Sequence, residues 1–191
     1  MAYPAKTDRD SILNAAMKQV ENEGVESLAI RSVASALGLA PNALYRYFES
    51  LGALKAAVAE DARLRMLEVM QKAAGRKGPA ESIRAISEAY LRFSHEQPRV
   101  FALYLKTSFA HSDSPQCTPE CARNTEFFLN QVIRVYGEKR AVEASHALWA
   151  FLHGLAVLHE AGVLSAAQSS TSLKFSLKMW VDRALSSSDD K

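Results

Sequence analysis

Glycine and proline are scarce in this sequence, 8 and 6 of 191 residues, and there are only two cysteines. Few stretches are rich in β-branched residues. With so little turn and strand chemistry, a sheet of short strands is excluded and an all-α chain is expected. Cys117 and Cys121 alone cannot form a disulfide framework. Neither sign of charge dominates, since 23 Lys and Arg face 21 Asp and Glu for a net +2. That balance permits an acidic partner without arguing for one. Long apolar runs are missing too. The most apolar stretch, Ala147 to Leu158, is interrupted by His153 and falls short of the ~20 residues a membrane span needs. The opening residues, Met1 to Asp8, are polar and hold no apolar segment of the kind a secretory leader carries. The expectation is a soluble, cytoplasmic protein with no membrane partner. Hydrophobic residues make up 48% of the chain, enough to bury a sizeable core.

What is present is helical periodicity with punctuation. Thr7 and Asp10 suggest a capping box ahead of a helix that aligns Ile12, Leu13, Ala16, Met17 and Val20, with Gly24 as its stop. Ile30, Val33, Ala34 and Leu37 mark a second, short amphipathic helix closed by Gly38. Pro41 suits the first turn of a third, running through Phe48, in which Leu44 and Phe48 face inward. Ser50 is placed to cap a long fourth helix from Leu51 to about Ala74. Gly75 to Pro79 is the clearest linker. Beyond it, helices are expected near 80–96, 98–109, 119–136, 139–162 and 169–186, about nine in all. His111 to Thr118 reads as a polar loop and Ser186 to Lys191 as a disordered tail. No internal repeat, nucleophile–base arrangement, paired-acid motif or phosphate loop stands out, so neither an enzyme nor a cofactor is expected.

The run Leu28 to Phe48 carries the function. Two short helices around a Gly-containing turn form a helix-turn-helix, whose second helix enters the DNA major groove while the first braces it. Leu28–Arg31, Ala34–Leu39 and the Leu-Tyr-x-Tyr-Phe finish at Leu44–Phe48 strongly resemble the TetR family of repressors. The specific resemblance covers roughly residues 8–60. It implies a TetR-type DNA-binding domain over 6–66, with the helix-turn-helix at about 29–48, and a larger helical ligand-binding and dimerisation domain over 79–186. It further implies a ligand-responsive repressor that reads a palindromic operator in double-stranded DNA as a homodimer. Residue by residue, Arg31 resembles the groove-facing arginine of the bracing helix. Pro41, Asn42 and Ala43 open the recognition helix, where Asn42 suits adenine and Ala43 a thymine methyl. Tyr45 resembles the phosphate-binding tyrosine. Arg46 and Tyr47 lie where base or backbone contacts are usual, and Lys55 is within reach of a flanking phosphate.

Three departures weaken the resemblance. Ala29 and Ala40 stand where the family favours capping Thr and Ser, each cap being worth ~1 kcal/mol. Leu51-Gly52 replaces a common Lys-Glu. Through residue 60, Lys6, Arg9, Lys18, Arg31, Arg46 and Lys55 are offset by Asp8, Asp10, Glu21, Glu23, Glu26, Glu49 and Glu60. Binding must then rest on a few placed contacts with a modest salt slope. A second reading follows: a helical ligand-binding or interaction protein of this fold that no longer binds DNA specifically. By pattern alone, Leu28 to Phe48 also suits a structural helical hairpin that never meets DNA, with Tyr45, Tyr47 and Phe48 as core.

In the C-terminal half, Ala89 to Tyr104 and the Trp-x-x-x-His-Gly of Trp149, His153 and Gly154 resemble a TetR subgroup with a Trp-His-Gly signature. The 139–162 helix is apolar nearly all round, and a subunit interface is the simplest cover for it. The resemblance implies dimerisation through 139–162 and 169–186, with Gly154 allowing close approach. It also implies an inducer, apolar or aromatic in kind, in a cavity whose candidate lining is Met66, Met70, Phe93, Phe101, Tyr104, Leu105, Phe128, Trp149 and His153. Ordinary core packing accounts for the same side chains. Cys117 and Cys121 with His111 lack enough well-placed ligands for zinc and read as free thiols. His146 and His153, seven apart on one helical face, are a poor metal pair.

Overall fold

The computed structural model describes residues 7–108 and 119–186, which hold nine α-helices, one 3₁₀ turn and no strand. They divide into two compact units, 1–63 with 99–110, and 64–98 with 111–191. The segment 99–110 falls in the first unit although it lies within 79–186. The cysteine-bearing loop with His111 and Cys117, the Cys121 side chain, and the tail after Ser186 lie outside the described residues.

In the first unit, α1 (Arg9–Glu23) buries Ile12, Ala16, Met17 and Val20 completely. The large ones contribute about 1.5–3 kcal/mol apiece. Its N-cap is Asp8 rather than Thr7: the Asp8 carboxylate accepts from the Ser11 N–H at 2.7 Å. The Ser11 side chain first, and then this bond from the N–H of the third helical residue, hold the Asp8 pKa down. After a 3₁₀ turn (Val25–Ser27) comes α2 (Ile30–Ala36), one residue shorter than its pattern because Leu37 serves as its C-cap. The Leu39 N–H donates to the Ala34 carbonyl (2.9 Å) and Gly38 N–H to Ser35 (3.0 Å), with Gly38 at φ +66. This is a Schellman ending, and the positive φ is why glycine stands there. Helix α3 is regular only over Pro41–Leu44. It continues as a tight turn in which Tyr47 and Phe48 N–H both donate to the Leu44 carbonyl. The sequence pattern through Phe48 had implied a longer helix. Ser50 caps α4 (Leu51–Ala74), its Oγ accepting from Ala53 N–H at 3.0 Å. The unit boundary falls within α4, and α6 (Pro98–Ser108) supplies the rest of the first unit.

In the second unit, α5 (Pro79–Glu96) packs against α7 (Pro119–Tyr136), α8 (Glu138–Glu160) and α9 (Ala166–Ser186). Its Ile83, Ile86 and Tyr90 are buried, and the small Ser82 and Ser87 let neighbouring helices come close. Ser87 satisfies its hydroxyl by donating to the Ile83 carbonyl at 2.7 Å. Helix α8 differs from the sequence expectation in one respect. Taken whole, its 23 residues include a window of mean hydropathy 1.3, long and apolar enough by length and composition to cross a membrane. Counting only Ala147–Leu158 had missed the alanines upstream. Only 33% of that window is buried within the protomer.

Candidate nucleic-acid interface

The helix-turn-helix is built from inside out. Ile30, Val33, Ala34, Leu44 and Phe48 are buried, which fixes which side chains must point away. Arg31, Pro41, Asn42, Tyr45 and Arg46 are exposed, Tyr45 by 51%, and Ala43, Tyr47 and Lys55 are half-buried. Arg31, Asn42, Tyr45 and Arg46 have no side-chain hydrogen bond or ion pair among the described residues. Donors left unspent on one surface are what base edges and phosphates require.

Half-buried Tyr47 has a partner within the same unit. Its hydroxyl donates to the Thr7 carbonyl at 2.7 Å. Tyr47 thus ties the recognition segment to the start of α1, where the Arg9 guanidinium also lies 5.0 Å over the Phe48 ring.

Sequence reading missed Gln19, which joins three elements. Its Nε2 donates to the Ser27 carbonyl at 2.9 Å, and the Ser32 hydroxyl lies 2.8 Å from both Gln19 Oε1 and the Ala29 carbonyl. Gln19 thus sets α2, and with it Arg31, against α1. Acidic residues are partly absorbed by structure. Asp8 caps α1, and Glu60 pairs with Arg63, whose Nε donates at 3.0 Å.

Ala29 and Ala40 are N-caps with extended backbone and no side-chain cap bond. Ala40→Ser is therefore expected to stabilise the protein by ~1 kcal/mol, read as a raised midpoint of thermal unfolding. No rise would show that another acceptor already serves the start of α3.

The second unit holds a polar pair that sequence reading half found. His153 Nδ1 lies 2.9 Å from the hydroxyl of Tyr90, itself 2% exposed, and the Trp149 ring meets His153 edge-on at 5.3 Å. Tyr90 was not singled out, because it is 63 residues from its partner. Of the other candidate lining residues, Met66, Met70 and Phe93 are buried in this unit and Phe128 is half-buried. Phe101, Tyr104 and Leu105 belong to α6, in the first unit, the two rings 6.0 Å apart. A groove of about 320 Å³ is lined by Arg84, Glu88, Lys174, Leu177 and Lys178, none of them a candidate. Among the described residues no three His, Cys, Asp or Glu side chains are grouped to hold a metal ion.

Burial lowers the His153 pKa, and burial followed by the adjacent His159 lowers that of His95, against an opposing pull from Glu96. The His95 and His159 rings lie 3.7 Å apart, and His159 Nδ1 donates to the Leu164 carbonyl at 3.0 Å. The unfolded chain takes up protons as pH falls through the ordinary histidine value of 6.5, while these folded histidines resist. Their contribution to stability is thus complete above that pH and declines below it. Acidification from neutral pH through the histidine range is expected to lower the unfolding midpoint, and less steeply in His153→Gln. An equal decline in both proteins would remove His153 from the account.

A helix-turn-helix with a donor-bearing outer face, joined to a larger helical domain, defines a DNA-binding regulator. Residues 12–58 match the bacterial regulatory proteins of the tetR family, and residues 83–179 match the tetracyclin repressor-like C-terminal domain. The chain belongs to the TetR family of transcriptional regulators. It is 26% identical over 170 residues to an uncharacterized HTH-type transcriptional regulator of Mycobacterium tuberculosis, covering 86% of this chain and 75% of that one. A Rhodococcus sp. RHA1 protein of unknown function superposes with a TM-score of 0.79 at 21% identity, covering 93% and 96% of the two chains. A TetR transcriptional regulator from Streptomyces coelicolor gives 0.64 at 23% identity, over 86% and 72%. At such identities the two structures establish the fold.

Proposed function

We propose that this regulator is a cytoplasmic, ligand-responsive repressor that reads a palindromic operator as a homodimer. DNA reading is assigned to residues 6–66, with Arg31, Pro41, Asn42, Ala43, Tyr45, Arg46, Tyr47 and Lys55 at the operator. Inducer binding and dimerisation are assigned to 79–186. The observation that carries the reading is the set of exposed side chains Arg31, Asn42, Tyr45 and Arg46 on a braced helix-turn-helix. Dimerisation is supported by apolar residues that the protomer leaves exposed: Val142, Val157 and Leu158 on α8, Phe175 and Met179 on α9. Gly154 is exposed, with open space where a Cβ would stand. The inducer is apolar or aromatic with one polar group, a chemistry suited to the Tyr90–His153 pair beside Trp149.

The uncapped Ala29 and Ala40 favour a second reading, a ligand-binding protein of this fold that has lost specific DNA binding. Selection from a random duplex library at low salt, followed by footprinting on the protein's own promoter, separates the two. Enrichment and protection of a palindrome support the repressor. An absence of enrichment leaves the second reading. An operator affinity that no small molecule changes removes the ligand response.

A further inference from the structure

Helix α1 ends unfavourably by its own sequence. Its last turn holds Glu21 and Glu23 and no basic residue, placing negative charge at the negative end of the helix dipole. The missing cation arrives from α6. Arg99, in the first turn of that helix, donates from Nη1 to the Glu21 carbonyl at 3.1 Å and to the Asn22 carbonyl beside it. These are the orphan carbonyls of a helix C-terminus. One turn earlier, Gln19 holds Ser27 and Ser32, and Ser32 adjoins Arg31. A continuous series of contacts thus runs from α6 through the end of α1 to the bracing helix, all within the first unit.

We propose that Arg99 is a positioning residue for DNA binding: by fastening α6 to the end of α1, it fixes the pose in which α2 and α3 meet the duplex. Arg99 itself touches no DNA in this account. The inference rests on DNA binding by the helix-turn-helix. A plain cap for α1 is the competing role, and the two separate by experiment.

The probe is a duplex selected from a random library by the parent protein. Arg99→Ala is expected to weaken binding to it by roughly tenfold or more, the size of one lost charge-assisted contact, with helix content by circular dichroism unchanged. Amide hydrogen exchange is expected to quicken from Glu23 to Ser27. Adding Asn22→Lys to Arg99→Ala returns a cation to the last turn of α1 without a link to α6. It is expected to restore slow exchange but not affinity. Arg99→Lys keeps a cationic donor and is expected to bind within about threefold of the parent. Unchanged affinity in Arg99→Ala overturns the proposal, as does full rescue of affinity by Asn22→Lys or a loss in Arg99→Lys as deep as alanine's. A parent protein that enriches no sequence removes the DNA-binding reading and this inference with it. Enrichment by the parent with undiminished Arg99→Ala binding removes this inference alone.

Discussion

Arg46→Ala is expected to abolish specific DNA binding while leaving the fold intact. Arg46 is exposed, on the turn that continues α3, so its removal should change stability by less than about 0.5 kcal/mol. A bidentate arginine–base contact is worth ~1–3 kcal/mol of discrimination. A dimer makes it twice, so roughly 2–6 kcal/mol is lost, against the ~4–10 kcal/mol that separates specific from non-specific binding. The effect is large because the module has no basic excess to fall back on. Arg46→Lys tests the geometry, since it keeps the charge and loses the planar fork. A gel-shift titration on the selected operator reads both variants. Wild-type affinity in Arg46→Ala would move recognition elsewhere on the surface.

Phe175→Glu is expected to break the dimer and, through it, operator binding. Phe175 is 67% exposed in the protomer, so the substitution leaves the protomer's own packing intact. In a two-fold interface each side chain counts twice. Burial of two phenylalanines is worth ~3–6 kcal/mol, and a buried, unpaired carboxylate adds a further penalty of a few kcal/mol. Dissociation should therefore rise by more than about a thousandfold, visible in sedimentation at micromolar protein. DNA affinity should fall with it, because a single module reads one half-site. Two results would count against the assigned interface: a variant that stays dimeric, and a monomer that keeps full operator affinity.

The same apolar face bears on what α8 is. Length and mean hydropathy alone make it a possible membrane span. As one wall of the dimer interface proposed above it would need no lipid. Phe151 and Trp180, from α8 and α9, already meet edge-on at 5.0 Å, which fastens the two helices to each other within one protomer.

The sequence alone determined the helices and the fold class. Ser50, Gly38 and Pro41 each act within a few residues, through a cap, a positive φ or a missing N–H, so their effects could be read along the chain. The spacing of Leu44 and Phe48 likewise said which side of the recognition segment faces inward, and therefore that Asn42 and Arg46 face out. Local rules failed where two adjacent residues competed for one role, as with Thr7 and Asp8 at the start of α1.

Only the tertiary structure decided who partners whom. Gln19 with Ser32, Tyr47 with Thr7, Tyr90 with His153 and Arg99 with Glu21 are 13, 40, 63 and 78 residues apart. No periodicity encodes such pairs, because each depends on how separate helices pack. That packing gave Tyr47 an internal partner in the Thr7 carbonyl. It also drew α6 into the DNA-reading unit and gave α1 the cation its own last turn lacks.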